Sequence, residues 1–166
     1  MTDEARRAAL IERLGGIRER WRRLVADIGP ERSEQPGAMG EWTFKDVAAH
    51  LTAWRTRTVL RLAAARRGDP PPPPLWAADL GEDDVEDDSI NAWLHERDKD
   101  RPLADVLAEA DAIYDDFIAA VVSLPIGLAT DPTRFDWLEG QALVEADFSG
   151  HLDEHEPDVR AWLARS

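Results

Sequence analysis

The chain has 166 residues, enough for a single domain with its own apolar core. Its 34 acidic residues against 20 basic ones leave a formal charge of −14, which sets it against phosphate backbones and anionic membranes as partners. There is no cysteine, which excludes disulfides, thiolate ligands and a cysteine nucleophile. Any metal must then be held by imidazole, carboxylate or water, and any thiol chemistry needs a thiol from outside.

Residues 3–28 carry Leu10, Leu14, Ile17, Trp21, Leu24 and Ile28 at helical spacing, and Gly29-Pro30 ends that helix. A polar stretch through Pro36 and Gly37 follows. Thr43 is placed to cap a second helix, with Asp46 at its third position in a capping-box arrangement. That helix runs to about Arg67 on a stripe of Val47, Leu51, Trp54, Thr58 and Leu62, and Gly68 with the proline run 70–74 stops it.

Residues 75–101 read as a long connection with an acidic, solvated run at 82–88 and a short helix at about 89–97. A third long helix starts with Pro102 at its first position and reaches about Leu124. Its buried face comprises Val106, Leu107, Ala110, Ile113, Tyr114, Phe117 and Val121. Residues 125–140 read as a loop. The last helix is expected from about Gln141 towards Ala164, kinked at Pro157. No strand pattern or internal repeat emerges. The predicted fold is all-α, a single domain over residues 1–166, built as a four-helix bundle with a long crossover connection between the second and third long helices. With no long apolar run and no charged-then-apolar leader, the expected setting is soluble and cytoplasmic.

Three of the four histidines fall in these helices on or beside an apolar stripe. His50 lies at the edge of the Val47, Leu51, Trp54 stripe. His151 and His155, four apart on the last helix, share a stripe with Val144, Phe148, Val159 and Trp162. Two readings stand. Each histidine is a core residue bonded to a neighbour, or the three imidazoles grip one ion and leave coordination positions open, as reactive rather than structural sites do. Asp147, one turn before His151, is a candidate ligand, ligand-orienting partner or base. Glu154 points away from the stripe, and His95 in WLHERDKD reads as a surface residue. His151 to His155 also spells H-x-x-E-H, an inverted zincin signature. A protease of that kind is set aside, because the body is too small for a cleft beside a motif so near the chain end.

The segment GEWTFKDVAAHLTAW, residues 40–54, resembles the start of the second helix in DinB-like four-helix bundle proteins. Together with INAWLHERDKDRPLADVLAEADAIYDDF and TDPTRFDWLEGQALVEADFSGHLDEHEPDVRAWL, it makes the chain look most like the ClbS/DfsB branch. The resemblance covers most of the chain from residue 40 on. It implies a bundle of DinB type and a metal held by one histidine of the second helix and two of the fourth, which match His50, His151 and His155. Two positions depart from the expected pattern: Arg55 stands where an acidic residue is expected, and Leu152 where an aromatic one is. Related families include transferases and isomerases that use mycothiol or bacillithiol, and the ClbS branch is linked to self-protection by opening a reactive cyclopropane.

The function expected first is a metal-dependent hydrolase or thiol S-transferase acting on a small electrophile, in detoxification or stress protection. His50, His151 and His155 would be the ligands, Asp147 the catalytic proton acceptor, a divalent ion (zinc or nickel) the cofactor, and a low-molecular-weight thiol an external one. Arg55, Arg57 and Arg61 read either as solvated surface or as groups that steer an anionic cofactor. The alternative is a non-catalytic protein that sequesters a small molecule in a cavity lined by some of the seven tryptophans. A third reading is an interaction module whose histidines are relics of a metal site. The partners expected are a small-molecule substrate or ligand, neither nucleic acid nor membrane, and a second copy through exposed apolar surface of the bundle.

Overall fold

Short polar side chains decide where the long helices begin. In the computed structural model, which describes residues 1–81 and 88–165, the Thr2 side chain accepts the Ala5 N–H and opens α1 (Asp3–Ser33). Leu10, Leu14, Ile17, Trp21, Leu24 and Ile28 line its buried face as the spacing predicts. Gly29 leaves the helical region at φ 75°, and Pro30 restarts a last turn that ends at Ser33. Thr43 caps α2 (Phe44–Arg67) in the predicted capping box, accepting the Asp46 N–H while the Asp46 carboxylate accepts the Thr43 N–H at 2.9 Å. Gly68, left-handed at φ 75°, closes that helix.

Between α1 and α2 the chain corrects an expectation. Instead of an irregular polar stretch it forms a two-stranded antiparallel ribbon, β1 (Pro36–Met39) against β2 (Trp42–Thr43), with Met39 opposite Trp42. The strands are too short to show an alternating pattern, and their curvature depends on Gly37 at φ 112° and Gly40 at φ 58°.

The connection after α2 runs through the proline stretch to α3 (Asp88–Asp98). Apart from Asp88, the acidic run expected to be solvated lies outside the described residues. A small cluster of Trp76, Ile90 and Leu94 against Ala53 packs α3 onto α2. The Lys45 ammonium donates to the carbonyls of Lys99 and Arg101 and holds the end of the connection there. Pro102 then serves as the N-cap of α4 (Leu103–Ser123), one position earlier than expected. All of its predicted buried face except Leu107, which is half-buried, is sealed from solvent. Both α1 and α2 pack along α4. The expected loop at 125–140 contains one helical turn, α5 (Ile126–Ala129), and a 3-10 turn at Asp136–Leu138.

The last helix, α6 (Gly150–Ala164), starts nine residues later than predicted. Ala142, Leu143, Val144 and Ala146 are all buried, and so many near-consecutive residues cannot share one helix face. They instead form a 3-10 turn (Leu143–Glu145) and extended chain packed on α1, with the Val144 carbonyl accepting from Arg13 at 2.8 Å. Val144, Asp147 and Phe148 therefore precede the helix rather than share its stripe. The helix continues through Pro157 to Ala164.

What orients α6 is the ribbon, with which it makes its most extensive packing. The Trp162 indole donates to the Pro36 carbonyl at 3.1 Å, carries the Arg32 guanidinium on its face at 4.4 Å, and sits against Gly37. A Cβ on Gly37 would come within 2.9 Å of the Trp162 ring. Gly37→Ala adds that clash to an unfavourable φ, and is expected to lower unfolding free energy by about 2 kcal/mol in urea titration.

Across α1 and α4, Arg18 donates to Asp111 and Asp115, and Arg22 donates to Asp111. The hydrogen bonds from Arg22 and Arg18 hold the Asp111 carboxyl well below the usual carboxylate range. A carboxylate depressed in the folded state stabilises above its unfolded pKa of about 3.9, and loses that contribution as pH falls through the lower folded value. Asp111→Asn should cost about 1 kcal/mol at pH 7, kept small because the carboxylate is about one-third exposed. Denaturation at several pH values should show the gap between parent and variant closing below about pH 4.

Candidate metal centre

His50 comes from the second turn of α2, counted from the Thr43 cap, and His151 and His155 from the first two turns of α6. Their donor atoms lie within 4.8 Å of one another, and among the described residues these are the three that form such a group. His50 and His155 are buried and His151 is half-buried. The Nε2 atoms of His50 and His151 stand 3.0 Å apart. That separation suits a hydrogen bond between complementary tautomers. It is also close to the edge of a coordination tetrahedron, roughly 3.3 Å for metal–nitrogen bonds of about 2.05 Å. Three neutral nitrogens on two rigid helices, with no thiolate or carboxylate among them, are a donor set that fits a divalent ion and leaves it open positions. The sequence brings these three residues together as predicted.

Asp147 does not stand one helical turn before His151. It lies in extended chain ahead of α6, outside the cluster of donor atoms, where its carboxylate accepts the Ser149 N–H at 2.9 Å. That bond holds it below the usual carboxylate range. Asp147 and His151 border a cavity of about 190 Å³ between α1, α2 and α4, lined also by Trp54, Arg55, Tyr114, Phe117 and Phe148. Glu154 is exposed, as expected.

His95, expected at the surface, is half-buried. Its ring stacks on Trp42 at 4.9 Å with 9° between the planes, and its Nε2 lies 3.4 Å from the Asp46 carboxylate that caps α2. Trp42 in turn packs edge-on to His50 at 5.5 Å. A tryptophan and a histidine that were not assigned to the site thus brace the ligand on α2. The WTFKD motif held Trp42, but only the ribbon and α3 bring it between His50 and His95.

Arg55, Arg57 and Arg61 of α2 are buried or half-buried rather than fully solvated. The guanidiniums of Arg55, Arg57 and Arg61 lie over the rings of Tyr114, Trp76 and Trp137, at 4.8, 4.9 and 5.3 Å. Burial lowers the pKa of Arg55, against a smaller opposing effect of Tyr114, and burial also raises that of Tyr114.

No helix among the described residues is long and apolar enough to cross a membrane. The family model for the mycothiol maleylpyruvate isomerase N-terminal domain matches residues 14–142, well over half of the chain. The match includes His50 and stops before His151 and His155, which join the cluster through the fold. No curated protein and no solved structure shows significant similarity to the chain.

Binding of an ion to the folded state alone raises stability by mass action, about 2.7 kcal/mol at a free concentration one hundred times Kd. For a domain of this size that is roughly 5 to 10 °C in Tm. Zinc or nickel is expected to produce such a rise in the parent, chelator to reverse it, and His151→Ala to abolish it, read by differential scanning calorimetry.

Proposed function

The chain belongs to the mycothiol maleylpyruvate isomerase N-terminal domain family, part of the DinB/YfiT-like superfamily, and from that premise we propose a metal-dependent enzyme that acts on a small electrophilic molecule. The observation that carries this reading is three imidazole donors within 4.8 Å of one another, one of which, His151, borders a cavity of about 190 Å³. His50, His151 and His155 are its ligands, and zinc or nickel suits them. Such an ion supplies Lewis acidity and open positions at which water or a thiol loses its proton near neutral pH. The family's name points to mycothiol as the kind of external thiol involved, and a chain without cysteine needs one from outside for thiol transfer. The setting proposed is cytoplasmic, and the role is detoxification.

The fold reading extends in the same way. Taking α1, α2, α4 and α6 as the four long helices, and the segment with α3 as the crossover, gives a bundle of DinB type. Its interior is where a bundle builds a site from facing helices. Trp54, Phe117 and Phe148 give the cavity an aromatic lining, and apolar surroundings strengthen the interactions of a charge beside them. Asp147 is the proton acceptor, ionised at neutral pH like any ordinary aspartate, with its pKa lowered further by the hydrogen bonds from Ser149. A carboxylate with a depressed pKa stays charged as pH falls through 5, so a loss of activity above that pH is not protonation of Asp147.

A second reading, favoured by the aromatic contacts of Trp54 with Trp76 and of Phe117 with Phe148, is a sequestering protein of the ClbS/DfsB type, which would hold its ligand unchanged.

Protein purified without a histidine tag is expected to contain about one equivalent of divalent ion by elemental analysis. Incubated with a small epoxide and a low-molecular-weight thiol, it should yield a product of altered mass. Asp147→Asn should slow that turnover roughly 100-fold with metal content unchanged. Recovery of unaltered epoxide from the protein would favour sequestration, and metal-free protein with full activity would overturn the metal reading.

A further inference from the structure

Arg55 puts a positive charge behind the cavity wall without putting a forked donor on it. Its two terminal nitrogens, and the hydroxyl of Tyr114 beneath it, are sealed from solvent. The guanidinium keeps its proton, so the charge stays, but a molecule in the cavity cannot reach those groups. The Trp54 indole N–H is likewise engaged, donating to Asn91 at 3.3 Å. Leu14, Ile17, Phe117 and Phe148 give the lining its apolar surface, and Thr58 and His151 stand among them. Asp147 and Gly150 are exposed and mark the open side. The N-terminus of α6 lies there and would by itself favour an anion, but a carboxylate is already beside it. Asp147 accepts the Ser149 N–H at 2.9 Å.

Among the described residues the cavity thus pairs a sealed cation on one side with a carboxylate at its mouth. An anion that entered would exchange water for apolar faces, find no guanidinium fork to replace it, and lie beside Asp147. A cation would be drawn by Asp147 and opposed by Arg55. An uncharged body meets neither penalty and gains from every apolar face it covers. We propose that this cavity takes a compact, uncharged, apolar molecule, and that Asp147 at its mouth turns anions away. The volume sets the size. An apolar cavity of roughly 150 Å³ holds benzene, so about 190 Å³ takes a single ring with a small substituent. As a statement of substrate class this rests on the function proposed above, but selection by charge needs no metal.

Benzyl alcohol, benzoate and benzylamine share one ring and differ in charge. Titrated calorimetrically into the full chain in the presence of chelator, benzyl alcohol is expected to bind at least about tenfold tighter than benzoate, and tighter than benzylamine. Asp147→Asn should tighten benzoate several-fold and leave the alcohol little changed. Thr58→Phe, which fills the space from a half-buried position, should remove binding of the alcohol. If that variant does not fold, the amide resonances of the parent locate the ligand, with shifts expected at Gly150 and His151. The proposal is overturned if none of the three probes binds, or if either ion binds as tightly as the alcohol. It is also overturned by an alcohol-to-benzoate ratio unchanged in Asp147→Asn, or by alcohol binding that survives Thr58→Phe or shifts only residues away from the cavity. Because chelator is present throughout, a chain that never binds zinc could still pass this test, and a metal enzyme could still fail it.

Discussion

The seating of Trp162 against Gly37 is the contact on which the histidine cluster depends. Two of the three imidazoles ride on α6, a helix of 15 residues that packs more on the ribbon than on any long helix. The ribbon also ends in Thr43, the cap of the helix that carries His50. One small piece of backbone thus fixes both sources of imidazole. It can do so because a residue without a Cβ lets the indole close to within contact of the strand. The ring of Trp162 is hydrogen-bonded at its edge and covered by Arg32 on its face, so α6 has little freedom to rotate. The separation of the ligands follows from that immobility.

Charge is partitioned in an unexpected way. The outer surface follows the acidic composition, with ion pairs such as those of Arg18 and Arg22 on Asp111 knitting α1 to α4. On α2, Arg55, Arg57 and Arg61 lie on aromatic faces. Stacking of that kind lets a cation be carried within the fold where a carboxylate would neutralise it. A chain whose field repels anions at a distance therefore keeps positive charge next to the cavity that holds His151. Selection between ligands then falls to short-range contacts rather than to attraction from solution.

Much of this was legible in the residues, for identifiable reasons. The stripe from Leu10 to Ile28, the Thr43 capping box and the stop at Gly68 are local signals, and local signals survive folding. The histidine triad was legible because two rings four apart and one on an apolar edge have few other ways to satisfy their nitrogens. What was not legible depended on tertiary packing. Ala142 to Ala146 have good helical composition, yet burial of Ala142, Leu143, Val144 and Ala146 together fits a 3-10 turn and extended chain rather than one helix face, and this moved Asp147 off the helix. The ribbon is too short to alternate. His95 and Arg55 looked solvated because charged neighbours surround them in sequence, whereas Trp42 and Tyr114 cover them in space.

The cluster also has a meaning for the chain as a polymer. His50 and His151 are 101 positions apart, and the sequence has no cysteine with which to tie distant segments together. An ion bridging them would close a loop of about one hundred residues, and such a cross-link removes up to about 4–5 kcal/mol of conformational freedom from the unfolded chain. The same three rings would then act as the molecule's clasp, so that loss of the ion would loosen α6 and the fold together.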